Sequence, residues 1–508
     1  MPGNSQAARS NPFATPTRRH RRPGLRLLAA ASAWAAAGLW INTASAVPPT
    51  LSVPSEEDFQ PGVGPQPSGL EAYLNQLGRT SLLLGDMGGL RTTLSQYGIS
   101  LAIQETSEVL GNVTGGTQRG AAYDGLTQML LQMDTRRAFG WYGGTFNISA
   151  LQIHGNNLSE NNLLSLQTAS GIEADRSTRL WELWYQQKFL EEDRLDIKIG
   201  QQSLDQEFMV SQNAGYFINT MFGWPMVPSA DLPGGGPAYP LSDLGIRVRA
   251  RPVDAITLLL GVFSGSPVGN NAGDPQIVNR SGTSFPVNQG VLVIGELQYY
   301  YPALGSMISA DAAQPLSRVY KLGFWYDSES FDDQQFASNG VSLASPASNG
   351  VPLSHRGDYG LYAVADQLVW VDPHEGDRTV NLFARVMGAP QADRNLITFS
   401  ANAGVVVHEP ILHRDADTFG VGMGFAKVSG AASALDQATA IATGTYVPTR
   451  GSETFVEVTY QYQVAPWLQL QPDIQYVFTP GGSLADPNNP GHRIGNELVL
   501  GVRTNILF

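Results

Sequence analysis

Cysteine is absent from all 508 residues, which excludes a disulfide framework and any thiolate metal site. Past residue 46 there is no apolar run of the length that a transmembrane helix requires. The Gly-x-Ser-x-Gly elbow and the Gly-x-x-x-x-Gly-Lys phosphate loop are also missing. The sequence therefore contains few features typical of an enzyme, and it predicts no catalytic residue, cofactor or metal.

Basic residues are scarce, and many of them lie at the N-terminus. Residues 1–46 contain six arginines, an apolar stretch from Leu27 to Trp40 and the small-residue triplet Ala44-Ser45-Ala46. This order predicts a secretory signal peptide over 1–46, with a short membrane anchor as the alternative. Without that segment, 25 Lys and Arg face 44 Asp and Glu, a formal charge of −19. An exported protein this acidic is not expected to bind nucleic acid.

The last segment of the chain contains three runs in which apolar and polar residues alternate: Val456 to Val464, Leu468 to Phe478 and Leu498 to Phe508. Period-two alternation gives a strand one apolar and one polar face. Each run is about ten residues long, the length that crosses a bilayer as a tilted strand. A soluble β-sandwich shows similar alternation but seldom repeats it at this length. The runs therefore favour an all-β, transmembrane antiparallel β-barrel.

The same alternation recurs upstream and brings the count to about 16 strands, an even number that suits a bacterial outer-membrane barrel. We expect long extracellular loops and short periplasmic turns. A Pro/Gly/Ser-rich lead-in with a short helix is predicted over 47–79, and the barrel over 80–508. The apolar positions shift phase within Gly144–His154, which predicts a bulge there.

Four connections are long. Those near 266–290, 329–357 and 429–452 are polar and rich in small residues, which predicts surface loops. The fourth, Gln206 to Tyr239, is rich in Phe, Met, Pro and Gly. We expect this segment to fold against or into the barrel.

These motifs, taken in order, resemble the carbohydrate-selective porins of the OprB type over roughly residues 80–508. The matching stretches are Leu84–Arg91, Tyr97–Ile99, Asn112 with Gly115–Gly116, Gly140–Gly144, Arg179–Tyr185, Ile199–Gln201, Phe217–Pro225, Glu453, Glu457, Tyr460, Pro466–Leu468, Gln471–Tyr476 and Pro480–Gly482. One departure is Met87, where this family pattern has Trp. The resemblance implies a 16-stranded outer-membrane channel that passes sugars by diffusion.

A diffusive channel selects its solute through the side chains that line the pore. Alternation separates the residues of each strand into two faces. The face with charged residues is expected to point inward, because a lipid-facing Arg costs a few kcal/mol at the midplane. The predicted pore-lining and solute-contact residues are Arg247, Arg249, Arg251, Glu182, Trp184, Lys188, Arg385, Glu457, Gln471, Asp473, Gln475 and Arg503. The alternative for each is a wall residue, either solvated or part of a salt-bridge ladder. Outward Tyr460, Tyr462, Tyr476 and Phe478 are expected to form an interfacial girdle.

Two other motifs are interpreted as structural and not as cofactor or metal sites. Gly420-Val421-Gly422-Met423-Gly424 lacks the spacing of a dinucleotide fingerprint and is interpreted as strand glycines. His408 and His413 flank Glu409 without metalloprotease spacing, so they are interpreted as loop residues.

The leading hypothesis is an outer-membrane porin for monosaccharides and short oligosaccharides. Its expected partners are sugars and outer-membrane lipid, and both a homotrimer and a monomer remain open. One alternative is a general or anion-preferring porin, because three arginines on one strand would attract anions. The other is an exported β-scaffold hydrolase acting on lipid or glycan.

Overall fold

Sixteen antiparallel strands form a closed barrel in the computed structural model, which describes residues 51, 53–55, 80–269, 273–304, 316–374 and 378–508. The predicted signal peptide and most of the predicted lead-in lie outside these residues. The barrel strands are β1 (Ile99–Thr114), β2 (Gly120–Asp134), β3 (Gly144–Gly155), β4 (Ser177–Phe189), β5 (Leu195–Gln202), β6 (Asp243–Val253), β7 (Ile256–Ser264), β8 (Val291–Tyr301), β9 (Arg318–Ala337), β10 (Pro352–Val371), β11 (Thr379–Gly388), β12 (Ile397–His408), β13 (Thr418–Val428), β14 (Ser452–Ala465), β15 (Leu468–Phe478) and β18 (Glu497–Leu507).

Each strand pairs with its neighbour in the chain, and β1 closes the barrel against β18. A small hairpin of β16 (Ala485–Asp486) and β17 (Asn489–Arg493) interrupts the last connection. The helices are α1 (Leu90–Gln96), α2 (Thr135–Phe139), α3 (Met226–Asp231), α4 (Pro275–Val278), α5 (Gly430–Thr443) and α6 (Pro480–Ser483). No helix among the described residues is long and apolar enough to cross a membrane.

Alternation builds the wall as predicted. On β14, Phe455, Glu457 and Thr459 are buried on the inward side, whereas Val456 and Val458 lie on the outer face. The four predicted girdle residues also point outward, and the rings of Tyr476 and Phe478 contact each other with centroids 4.7 Å apart. The closed barrel of 16 strands confirms the predicted fold and strand number. Alternation predicted them because the two faces of each strand meet different surroundings.

Two predicted surface loops are partly wrong. Strands β9 and β10 continue through much of 329–357, where Pro352 pairs with Ala337. This extension carries polar residues on both faces, so its sequence shows no apolar alternation. Helix α5 occupies much of 429–452, and the Ser429 side chain accepts a hydrogen bond from the N–H of Ala432 at 3.2 Å. Such an N-cap before an alanine-rich run predicts a helix start.

The predicted bulge lies on the neighbouring strand. Strand β3 keeps its alternation, and the register shift occurs on β4, where Trp181 is the extra residue opposite Ser149 and Ala150. Leu151 and Ile153 are apolar yet inward because they pack in a buried cluster. The cluster contains Leu126, Leu151, Ile153, Ile172, Ala174, Trp181 and Tyr239. The change in the sequence pattern thus marks a packed interior and not a break in the strand.

The connection between β5 and β6, residues 203–242, folds inside the barrel as expected, and is called the inner loop below. Its apolar side chains form the largest buried cluster together with inward residues of β7 to β15. Phe217 and Phe222 of this loop pack against Phe383 and Phe455 of the wall at ring-centroid distances of 5.4–5.7 Å. The chain thereby covers a large part of its own inner wall.

The inward glycines of β13 make room for this loop. A Cβ atom at Gly420 would lie 2.8 Å from the ring of Phe217, and one at Gly422 would lie 2.6 Å from the ring of Phe222. Contacts this short require the rings to move. The interpretation of the Gly-Val-Gly-Met-Gly run as strand glycines is therefore confirmed, and its purpose is close approach of the inner loop.

Gly422→Val should destabilise the folded barrel by about 1–3 kcal/mol, because the added side chain displaces two packed phenylalanine rings. Urea unfolding in detergent, followed by tryptophan fluorescence, measures the change. Ala403→Val is the matched control, since Ala403 lies on the outer face opposite Met423. Equal stability of both variants would contradict the packing described.

Candidate functional site

The inner loop is held by polar side chains of the barrel wall, and several of these are predicted site residues. Arg385, only 1% exposed, donates to three backbone carbonyls of the loop: Met209 at 2.9 Å, Gly223 at 2.8 Å and Met221 at 2.6 Å. Its Nε also donates to Asn402 at 3.2 Å. A guanidinium has five N–H groups in a fixed fork, which suits it to fasten irregular backbone.

Glu457 holds the same loop through backbone N–H groups, whereas Arg385 holds it through carbonyls. Its carboxylate, fully buried, accepts the backbone N–H groups of Ile218 at 2.6 Å and Asn219 at 3.0 Å. Gln475 and Gln471 extend this contact: they donate to the carbonyls of Ala169 and Tyr216, each at 2.8 Å. These side chains face inward as predicted, but the loops cover them, so they act as loop anchors and are out of reach of a solute.

A second connection, residues 156–176 between β3 and β4, is fastened in the same way. Glu453 accepts backbone N–H groups of Leu166 at 2.8 Å and Gln167 at 2.7 Å. From the sequence, Glu453 belongs only to the family resemblance and has no predicted role. Its position at an inward site of β14, four residues before Glu457, is the signal that could have identified it.

Further anchors were missed altogether. Asp366 accepts from Ser211 at 2.6 Å, Glu296 from the N–H of Met209 at 2.8 Å, and Lys321 donates to the carbonyl of Val210 at 2.7 Å. Each of these three side chains has an apolar neighbour on at least one side in its strand. Parity alone marks them as inward, but it does not show that they meet a loop.

The other predicted residues divide between ion pairs and the turns. Arg503 pairs with Glu108 across β18 and β1, and Asp473 accepts from Gln475 at 2.8 Å. Lys188 lies at the short turn Glu191–Asp193, where its ammonium is 3.1 Å from the carboxylate of Asp193.

Glu182 lies at the start of the inner loop. Its carboxylate accepts the backbone N–H of Ser203 at 3.1 Å.

The three arginines of β6 occupy three different environments. Arg247 is 2% exposed and pairs with Asp196 of β5 and with Glu207 of the inner loop. The side chain of Arg249 is 41% exposed, and its Nε lies 2.5 Å from Asp196. Arg251 donates to the carbonyl of Glu192 at the turn. Among these three arginines, Arg249 is the one that is held by an ion pair while much of its side chain stays exposed.

Lys198 joins this group, which is called the basic ladder below: Trp184, Asp196, Lys198, Glu207, Arg247 and Arg249. The ammonium of Lys198 pairs with Glu207 and lies 4.7 Å from the ring centroid of Trp184. Burial raises the pKa of Glu207, but Lys198 and Arg247 outweigh it and lower that pKa to about 2. The ladder therefore holds three cations and two carboxylates, a net charge of +1.

Comparison with known proteins agrees with this architecture. A model of the carbohydrate-selective porin, OprB family, matches residues 118–508. The chain belongs to this family. It is accordingly a channel of the bacterial outer membrane that admits carbohydrates by diffusion.

Individual relatives are distant. Porin B of Pseudomonas aeruginosa is 24% identical over 450 residues, covering 84% of this chain and 91% of that protein. The putative porin QuiX of Acinetobacter baylyi is 24% identical over 431 residues, covering 79% and 89%. The high-pH structure of Pseudomonas putida OprB has a TM-score of 0.72 at 23% identity, covering 84% of this chain and 98% of that one. That likeness concerns the fold.

A polar cleft lies among the long connections of this porin, at the opposite end from the short turns. It has a volume of about 470 Å³. Its lining side chains are Asn156, Asn157, Glu160, Asn161, Asp175, Arg176, Ile277 and Arg280, together with Gly155 and Ala174. Amides, carboxylates and guanidinium groups offer the donors and acceptors that sugar hydroxyls require.

Arg385→Leu should loosen the inner loop and raise single-channel conductance, because three loop carbonyls lose their donor at once. Each orphaned buried carbonyl costs about 1–3 kcal/mol. Planar-bilayer recording measures the conductance. Arg356→Leu is the control, since Arg356 is exposed. A conductance unchanged from wild type in Arg385→Leu would show that the loop keeps its position without this anchor.

Arg247→Ala should destabilise the porin by about 3–5 kcal/mol, because it leaves Asp196 and Glu207 without their shared buried cation. Arg249→Ala should cost much less, since the side chain of Arg249 is partly solvated. Thermal unfolding by circular dichroism compares the two variants. The assignment fails if both variants unfold at the same temperature.

Proposed function

We propose that the basic ladder sets the solute preference of this porin, and that Arg249 and Trp184 contact the passing sugar, while Lys198, only 5% exposed, is held by Glu207. The observation that carries the proposal is the partition of the wall. From β7 to β15 the inner loop covers inward side chains, whereas the strand residues of the ladder lie on β4 to β6, where the loop contributes Glu207 and leaves Arg249 41% exposed. A solute inside the barrel therefore meets charged and aromatic groups on that side.

The chemistry of these groups suits a sugar. Arg249 has guanidinium N–H groups beyond Nε for which no partner occurs among the described residues, and they can donate to hydroxyl oxygens. The indole of Trp184 offers an apolar face for the C–H groups of a pyranose ring. The carboxylate of Asp196 holds Arg249 in place, which lowers the entropic cost of each contact.

The role proposed for the ladder has a rival within the porin class. Its net charge of +1 would also favour small carboxylates, so an anion-preferring channel is the second candidate. The ion pairs of Asp196 and Glu207 argue against a strong anion preference, because each carboxylate neutralises one neighbouring cation. A catalytic function has less support, since the relatives in this family are channels rather than enzymes.

Liposome swelling distinguishes these candidates. Reconstituted porin is compared in glucose, arabinose, a neutral disaccharide and a carboxylate of similar size. Fast swelling in sugars with slow swelling in the carboxylate supports the proposed preference. Equal rates in all solutes would make the ladder a structural wall, and faster swelling in the carboxylate would favour the anion channel.

Arg249→Ala should change the ratio of sugar to carboxylate rates while the barrel stays folded. The expected change is about tenfold or less, which corresponds to the loss of about 1.4 kcal/mol of interaction. Arg251→Ala is the matched control, because Arg251 is held at the turn. If the rates stay unchanged after Arg247, Arg249 and Arg251 are all replaced, the ladder has no part in selectivity.

A further inference from the structure

Two aspartates face each other across strands β9 and β10. Asp327 and Asp358 are register partners, and both are 0% exposed on the inward side of the wall. Residues directly opposite each other on an antiparallel pair have Cβ atoms about 4.5–5.5 Å apart, and like charges at such positions are destabilising. The wall therefore holds two carboxylates close together in a buried place.

The aspartate pair lies at the end of the barrel that carries the long connections. Asp327 also pairs with Leu292 at the start of β8. Leu361, three residues after Asp358, pairs with Gly388 at the end of β11. Strands β9 and β10 continue past this level as their polar extensions. The pair therefore occupies the rim of the barrel, at the base of those extensions.

Each of the two carboxylates has one oxygen in a hydrogen bond and one without. Oδ1 of Asp327 accepts the N–H of Glu329 at 2.8 Å, and Oδ1 of Asp358 accepts the side-chain amide of Asn395 at 3.0 Å. No described residue donates to the Oδ2 atom of either aspartate, although both atoms are buried. A buried polar atom without a partner is costly, and a buried charge without one is more so.

Asn395 adds a third oxygen of this kind. The residue is 0% exposed, and no described residue donates to its Oδ1. Because its Nδ2 donates to Asp358, the planar amide also holds Oδ1 beside that carboxylate. This atom is a neutral amide oxygen, so the shortage of donors extends beyond the two acids. Three buried acceptors thus lie in one small region without a donor.

A basic group next to this region is engaged elsewhere. Arg394 donates to the carbonyl of Gly357 at 2.5 Å and forms an ion pair with Asp393 at 3.0 Å. Among the described residues, no Lys, Arg or His forms an ion pair with Asp327 or Asp358. The charge of the two aspartates is therefore not balanced by a side chain in contact with them.

The same region joins the inner loop to the wall. Asp231, the last residue of α3, accepts the N–H groups of Leu396 and Ile397 at 2.9 and 3.1 Å. These N–H groups follow directly after Asn395 in the chain. Asp231 adds a further carboxylate to an already acidic place. A ligand bound here would therefore connect β9, β10, the β11–β12 connection and the inner loop.

We propose that Asp327, Asp358 and Asn395 bind a calcium ion at the rim of the barrel. Ca²⁺ takes 6–8 oxygen ligands in flexible geometry, among them Asp carboxylates, Asn carbonyls and water. Among the residues that the structure describes, no three or more His, Cys, Asp or Glu side chains are grouped so that they could hold a metal ion. The site thus rests on two carboxylates and one neutral oxygen, and its affinity should be low, with a Kd of about 10⁻⁴–10⁻³ M.

A proton shared by the two aspartates is the alternative. One proton supplies one donor to three acceptors, whereas a divalent cation serves all three and cancels both charges. Mg²⁺ fits less well, because it demands near-ideal octahedral geometry with bonds of about 2.0–2.1 Å.

Terbium luminescence tests the site directly. Trp325, 1% exposed, lies two residues before Asp327 on the same face of β9. Tb³⁺ replaces Ca²⁺ in oxygen sites and emits when a nearby indole is excited. In purified porin treated with EGTA and dialysed, TbCl₃ should give emission that CaCl₂ displaces and MgCl₂ displaces much less. Trp325→Phe should lose most of this emission. Absent emission, emission that CaCl₂ does not displace, or full emission from Trp325→Phe overturns the proposal.

Thermal unfolding provides a second readout that needs no terbium. CaCl₂ should raise the unfolding temperature of the wild-type porin, because a ligand that binds only the folded state stabilises it. Asp358→Asn should weaken calcium binding by at least about tenfold and lose most of that rise. Without calcium, this variant should unfold at the wild-type temperature or above it, since one of two facing charges is gone.

Asp254→Asn is the matched control, because Asp254 lies at the turn between β6 and β7 with 57% of its side chain exposed. It should keep the full response to calcium. A wild-type porin that does not respond to CaCl₂ overturns the proposal, whatever the variants do, and favours the shared proton. An equal response in Asp358→Asn and in the wild type overturns it as well.

Discussion

The structure depends on one constraint, which is that irregular backbone placed inside a barrel must find hydrogen-bond partners. A buried loop carries N–H and C=O groups that water cannot reach. Here the wall supplies the partners, with Glu457 and Glu453 accepting from N–H groups and Arg385 donating to carbonyls. The same wall is notched at Gly420 and Gly422 so that aromatic rings of the loop fit against it.

This arrangement makes the inner wall asymmetric, and we propose that selectivity arises on the side that the loop leaves open. The inner loop covers inward residues from β7 to β15, and inward charges there such as Arg385 and Glu457 hold the loop. The strands β4 to β6 keep charged side chains of both signs, with Arg249 partly exposed beside Asp196. An inward charge is thus an anchor where the loop covers it, as Arg385 is, and stays partly exposed where the loop leaves it open, as Arg249 does.

Much of the fold could be predicted because alternation is a local property. All sixteen strands left a period-two pattern, since each has one face toward lipid and one toward the interior. The predictions of loops and of the bulge failed where a strand no longer has one apolar outer face and one polar inner face. The extensions of β9 and β10 are polar on both faces, and Leu151 and Ile153 are apolar on the inward face because they meet a packed cluster.

The sequence by itself determined the barrel, its strand number, the family and the inward direction of wall residues such as Glu457 and Arg249. Only the tertiary structure decided which of them a solute could reach. Glu457 and Arg249 have the same parity signal, yet the first lies beneath Ile218 and the second has 41% of its side chain exposed. The physical reason is that parity fixes a direction within one strand, whereas accessibility depends on a loop distant in sequence.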